Sequence, residues 1–237
     1  MRDGQPRVRR RAVRLSIALA AFVGLGIPDG MLGVAWPSIR ATFHQPLSGL
    51  GWLLLASTCG YLAASAASGF LSDRLGTGIL LVGAASASAA AMLTFATAGA
   101  WPLLLVGALA LGAGGGSVDA GVNAYTALAH GTGPMNLLHA CYGLGAALGP
   151  LAVTAALGRG WPWRAPYAGM LGVELALLAA FALTGRSWGG RRPPAPGPGA
   201  ARPRSGGSAR MPRAAPAPRR ACRRTAPATA RPGRARR

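Results

Sequence analysis

Acidic residues are scarce in this chain. It holds five Asp and Glu among 237 residues, no lysine, and only 13% charged residues overall. Soluble domains carry about a quarter of their residues as charges, so the deficit argues against a surface built for water. Cysteine is equally sparse. Cys59, Cys141 and Cys222 make an odd set without metal-ligand spacing, which excludes a disulfide framework and a zinc site. No catalytic triad or complete phosphate-binding loop is present, so soluble enzyme chemistry has no support and no cofactor or metal is expected.

What the chain has instead is apolar length. Half of it, 51%, is hydrophobic, and a run of about 20 apolar residues suffices to cross a hydrocarbon core about 30 Å thick. Six runs qualify: Leu15 to Ile39, Leu50 to Leu71, Ile79 to Ala98, Leu103 to Leu128, Met135 to Leu157 and Ala165 to Thr184. The arginines before the first run resemble a signal-peptide n-region, but that run is too long and five more follow. It is read as a retained first span. The fold class expected is an all-α membrane protein of six transmembrane helices over residues 15–185, preceded by a basic segment at 1–14.

Charge gives a direction across the bilayer. Residues 186–237 hold 15 Arg, 10 Pro and no acid. Such a composition cannot bury a core, so a disordered tail is expected. Arg2, Arg7, Arg9, Arg10, Arg11, Arg14, Arg74 and the tail share one side, against Arg40, Arg159 and Arg164 on the other. The arginine excess places both termini in the cytoplasm, which an even number of spans requires. Tryptophan sorts with it. Trp36, Trp52, Trp101, Trp161 and Trp163 fall at the outer ends and Trp188 at the inner, the headgroup levels that indole rings prefer.

Small residues recur at four-residue spacing, as in Gly112 and Gly116 or Gly145 and Gly149, a pattern for close helix packing. The glycines at 112 and 114–116 superficially resemble a phosphate loop, but no Lys-Ser/Thr follows and the run sits within a span.

Against this background each intramembrane carboxylate needs a reason, because one costs about 2.5–3.5 kcal/mol to insert. Asp29 lies in GIPDGMLG of the first span and Asp119 in GGGSVDAGVNAY of the fourth. Both are candidate proton-coupling and solute-binding residues. Pro28 and its flanking glycines loosen the helix at Asp29. Asn123 stands one turn after Asp119, and Asn136 and His139 near the start of the fifth span add hydrogen-bonding capacity for a polar solute. Tyr61, Tyr125 and Tyr142 either stack on a sugar ring or fill the bundle, and filling is the commoner use. Glu174, in the sixth span, either pairs with Arg164 or faces a cavity.

The loop between the second and third spans reads GFLSDRLGTG. It resembles the cytoplasmic signature of the major facilitator superfamily at Gly69, Leu71, Asp73, Arg74 and Gly76, with Thr77 and Gly78 replacing the usual basic pair. The resemblance implies that Asp73 caps a helix and pairs across the cytoplasmic face as part of a gate. GIPDGMLGVAWPSI, DAGVNAY and MNLLHACYGLGAALGP further resemble the fucose permease branch of sugar and proton symporters. By that resemblance Asp29 and Asp119 serve sugar recognition and proton coupling, and Asn136 is the polar contact from the fifth span. The drug-efflux signature of the superfamily is half absent, since Gly149 and Pro150 precede Leu151, Ala152 and Val153 rather than a glycine pair.

The resemblance also implies two inverted three-helix repeats, which together form half of a twelve-helix carrier. The GC-rich residue set of the tail is what out-of-frame translation of a second half would give. The expected function is therefore a transporter, or the amino-terminal half of one, moving a small polar solute such as a sugar with protons in a cell membrane. The missing half is to be supplied by a second copy or another segment. Two alternatives stand beside it: proton-driven efflux, and a non-transporting membrane protein whose basic tail binds anionic lipid or, less in keeping with the spans, RNA.

Overall fold

A computed structural model describes residues 5–130 and 132–188. The chain forms six long helices: α1 Gln5–Phe43, α2 Gly49–Leu75, α3 Thr77–Thr97, α4 Trp101–His130, α5 Thr132–Gly158 and α6 Arg164–Thr184. A short 3-10 turn, Gly185–Ser187, follows. All six helices are long and apolar enough to cross a membrane, and no strand occurs among the described residues. In lipid every backbone N–H and C=O must be satisfied within its own segment, which is why apolar runs of this length become helices.

Leu55, Leu62, Leu103 and Leu183 are exposed, while Ala18, Ala35, Ala85 and Ala91 are fully or almost fully buried. Large apolar side chains face lipid at no cost, and small ones let the helices approach.

The packing order carries the internal symmetry. α1 lies against α5, α2 against α4, and α3 against both α4 and α6. Exchanging the first three helices for the last three turns the α1–α5 pair into the α4–α2 pair and returns α3–α6 to itself. Because three is odd, α4 runs opposite to α1, so the two repeats are inverted in the membrane plane.

Both main pairs meet backbone to backbone. A Cβ on Gly26 or Gly30 of α1 would overlap a carbonyl oxygen of α5, and one on Gly145 or Gly149 of α5 a carbonyl oxygen of α1. Gly60 of α2 and Gly112 and Gly116 of α4 meet in the same way. α2 passes to α3 through Gly76 alone, whose φ of +90° suits a residue without Cβ.

Several expectations need correction. Tryptophan does mark the helix ends, yet only Trp52 and Trp161 are exposed there, whereas Trp36, Trp163 and Trp188 are buried among the helices. Trp36 and Trp101 lie 6.0 Å apart, and Phe43 bridges Trp101 and Trp163. These rings close the end of the bundle where α1 finishes rather than anchor it. At the opposite end Arg14 donates to the Ser187 carbonyl and lies over the Tyr125 ring, and Trp188 packs edge-on to Tyr125 and Phe181. Residues 186–188 thus belong to the bundle and not to the tail. The remaining tail lies outside the described residues.

Glu174 does not pair with Arg164. That guanidinium donates to the Ala98 carbonyl at 2.8 Å and lies over the Trp163 ring. Glu174 is buried on α6 opposite Gly24.

Candidate functional site

Asp29 and Asp119 occupy related positions in the two repeats, near the middle of α1 and past the middle of α4. Pro28 removes one hydrogen-bond donor from α1, but the helix continues unbroken through it. Each carboxylate is met by a tyrosine from the helix packed against its own. The Tyr142 hydroxyl of α5 donates to Asp29 Oδ2 at 2.8 Å, and the Tyr61 hydroxyl of α2 donates to Asp119 Oδ2 at 2.6 Å. The same repeat exchange that maps α1–α5 onto α4–α2 maps one pair onto the other.

The two pairs share one cavity of about 250 Å³. Asp29, Ser57, Tyr61, Asp119, His139 and Tyr142 supply its polar wall, and Phe22, Leu25 and Leu111 its apolar wall. A second cavity of about 280 Å³ also has Asp29, Ser57 and Tyr142 in its wall, together with Leu53, Phe95 and Tyr167. These last three sit near the start of α2, the end of α3 and the start of α6, at the end of the bundle where α1 finishes. The Asp29–Tyr142 bond therefore stands where the two cavities adjoin. A concave site with an apolar lining and a few converging polar groups is the form that small-solute sites take.

The other sequence-predicted residues distribute unevenly. Asn123 donates to Asp119 Oδ1 at 2.9 Å, so both oxygens of that carboxylate are occupied. Its own Oδ1 is buried without a hydrogen-bond partner. His139 lines the first cavity and meets the edge of Phe22 at 5.8 Å. Asn136 is exposed on the first turns of α5 and does not line the cavity.

Tyr61 and Tyr142 correct the expectation that they fill the bundle, since both face the carboxylates. Tyr125 does pack, against Trp188. Ser57 is a cavity residue that sequence reasoning missed. It lies one turn before Tyr61 on the same face of α2, a signal available only once Tyr61 is assigned to the site.

The signature loop lies at the end where α1 begins. Gly69 is exposed on α2, and Gly76 makes the turn. Arg74 covers the Phe70 ring at 4.3 Å. Ser72 and Thr77 join their hydroxyls at 2.9 Å. Asp73 is exposed, and no side-chain hydrogen bond caps α3, so the capping role implied by the resemblance is not made among the described residues. No ligand-competent cluster of His, Cys, Asp and Glu for a metal ion occurs among the described residues.

Comparison with known proteins agrees with this architecture. The family description Major Facilitator Superfamily matches residues 15–231. Over 142 residues the chain is 29% identical to "Sodium-dependent glucose transporter 1A" of Mus musculus, covering 59% of this chain and 33% of that protein. It is also 29% identical to "Sodium-dependent glucose transporter 1" of Homo sapiens over 142 residues, covering 27% of that protein. The chain thus spans about a third of the length of the curated relatives it matches.

Proposed function

Because this chain belongs to the Major Facilitator Superfamily, we propose that it forms the six-helix half of a carrier that binds a sugar and couples its movement to protons. The observation that supports this most is the pair of Asp–Tyr units facing one cavity from symmetry-related helices. A sugar offers many hydroxyl donors and acceptors and an apolar ring face. Two carboxylates accept from the hydroxyls, two tyrosines, whose O–H protons are already given to the carboxylates, accept or stack, and Phe22 and Leu111 meet the ring.

In this proposal Asp29 and Asp119 are the binding and coupling residues. Asn123 holds Asp119, and His139 is a further contact in the wall. Asn136 serves the approach to the cavity rather than the cavity itself. Gly69, Asp73, Arg74 and Gly76 form the gate at the cytoplasmic end. The unit resides in the cell membrane with both termini cytoplasmic: a basic stretch over 1–14 that runs into α1, the bundle through residue 188 and a basic tail beyond. The lipid bilayer is its solvent, and a second six-helix unit or a second copy completes the cavity.

Sodium coupling is a second reading, favoured by the names of the two relatives. A carboxylate with tyrosine and serine oxygens nearby offers the hard donors a small cation takes. The experiment is glucose uptake into proteoliposomes under an imposed pH gradient or sodium gradient. Uptake driven by the pH gradient alone supports proton coupling, and uptake driven by sodium alone supports the second reading. A chain that neither binds nor moves glucose under either gradient, while folded, rules out both.

A further inference from the structure

The two tyrosines hold their carboxylates through an arrangement that occurs twice. Gly26 precedes Asp29 by three residues and Gly116 precedes Asp119 by three, so each glycine shares a helix face with its carboxylate. A Cβ on Gly26 would overlap the carbonyl oxygen of Tyr142, and one on Gly116 the carbonyl oxygen of Tyr61. In both cases the glycine touches the backbone of the very tyrosine whose hydroxyl reaches the carboxylate one turn further on. The close approach fixes the root of the tyrosine, and the ring spans from there to the acid.

A carboxylate tied up only for stability would be buried with all its oxygens satisfied. Asp29 is exposed to the cavity, and only its Oδ2 accepts a hydrogen bond among the described residues. Asp119 is half-buried, with Tyr61 on one oxygen and Asn123 on the other.

On the premise that Asp29 and Asp119 receive the solute, we propose that Tyr142 and Tyr61 are positioning residues, each aiming its carboxylate through a hydroxyl whose place is set by the glycine contact. Among the described residues Tyr142 is the sole positioning group of Asp29 and leaves Oδ1 for a solute hydroxyl. Tyr61 shares Asp119 with Asn123.

The test is the labelling rate of each carboxylate by dicyclohexylcarbodiimide, a lipid-soluble reagent for membrane carboxyl groups, in the full chain in vesicles, read by peptide mass spectrometry. Tyr142→Phe keeps the ring and removes the hydroxyl. It should raise labelling of Asp29 about tenfold, the equivalent of one lost hydrogen bond, and leave Asp119 at its original rate. Tyr61→Phe should raise Asp119 labelling about twofold while Asn123 remains, and about tenfold in the Tyr61→Phe, Asn123→Ala double variant. Gly26→Ala should reproduce the Tyr142→Phe effect at Asp29 alone. The unaffected carboxylate reports in each variant that the bundle is folded.

Equal labelling of Asp29 in Tyr142→Phe and in the original chain overturns the proposal. So does a rise at both carboxylates together, because that is loosening of the bundle. Protection of Asp29 by added glucose tests the premise separately. If glucose fails to protect while Tyr142→Phe still exposes Asp29, the sugar-binding function fails and the positioning role stands.

Discussion

The two carboxylate units differ in how far each is satisfied. Asp119 has donors on both oxygens and sits half-buried, while Asp29 has one donor and faces open cavity. The backbone plan is the same on both sides, with a glycine three residues ahead and a tyrosine across the interface. Only the side chain one turn after the acid separates them: Asn123 follows Asp119, and Gly33 follows Asp29. A repeated scaffold thus yields one carboxylate that is held and one that is available. In the proposed function a free oxygen beside a fixed one lets a solute hydroxyl add without first displacing a donor, which would make Asp29 the first point of contact and Asp119 the reference against which the solute is oriented.

The largest effect should come from the available acid. Asp29→Asn should reduce glucose uptake in proteoliposomes by about 100-fold or more, whereas Asp119→Asn, whose amide still accepts from Tyr61, should reduce it about tenfold. Equal losses at the two sites would break the comparison. Next in size are the interfaces beneath the units. Gly26→Ala and Gly116→Ala each force a methyl group against a carbonyl oxygen and should each destabilise the folded bundle by about 1–3 kcal/mol, read as a fall in thermal midpoint in detergent. Similar falls would show that the two glycine contacts are equivalent. The smallest effect is the sharpest one. Asn123→Ala should leave uptake within about threefold of the original and cost about 1 kcal/mol, because Tyr61 still holds Asp119. Gly33→Asn, which offers Asp29 a second donor on the equivalent turn, should lower apparent affinity for glucose if the free oxygen is what receives it.

Much of this was legible in the residues. Spans are set by length and apolarity alone, and each expected run falls on its own helix, with two differences at the ends: α1 begins at Gln5, ten residues before the expected Leu15, and α3 stops at Thr97, one residue short of Ala98. The carboxylates were legible because each is expensive in a membrane, and Asn123 because it is local, four residues from its acid. The tyrosines were not. Tyr61 and Asp119 are 58 residues apart, Tyr142 and Asp29 are 113 apart, and which side chain faces which depends on helix rotation that composition does not record. Tryptophan shows the same division. Its level along the helix axis could be read, but whether an indole turns outward to lipid, as in Trp52, or inward onto other rings, as in Trp36, is decided by tertiary packing.

The separation of 113 residues between Asp29 and Tyr142 has a consequence for biosynthesis. Chains are elongated at about 5–20 residues per second, so Asp29 is synthesised roughly 6–23 s before its tyrosine exists. Asp119 never waits, because α2 and Tyr61 have already been made when it emerges. During that interval α1 carries an unpartnered acid into the bilayer, and its retention there falls to the length of its apolar run. Shortening α1 by one turn should thus impair insertion of the nascent chain more than the same deletion in α4.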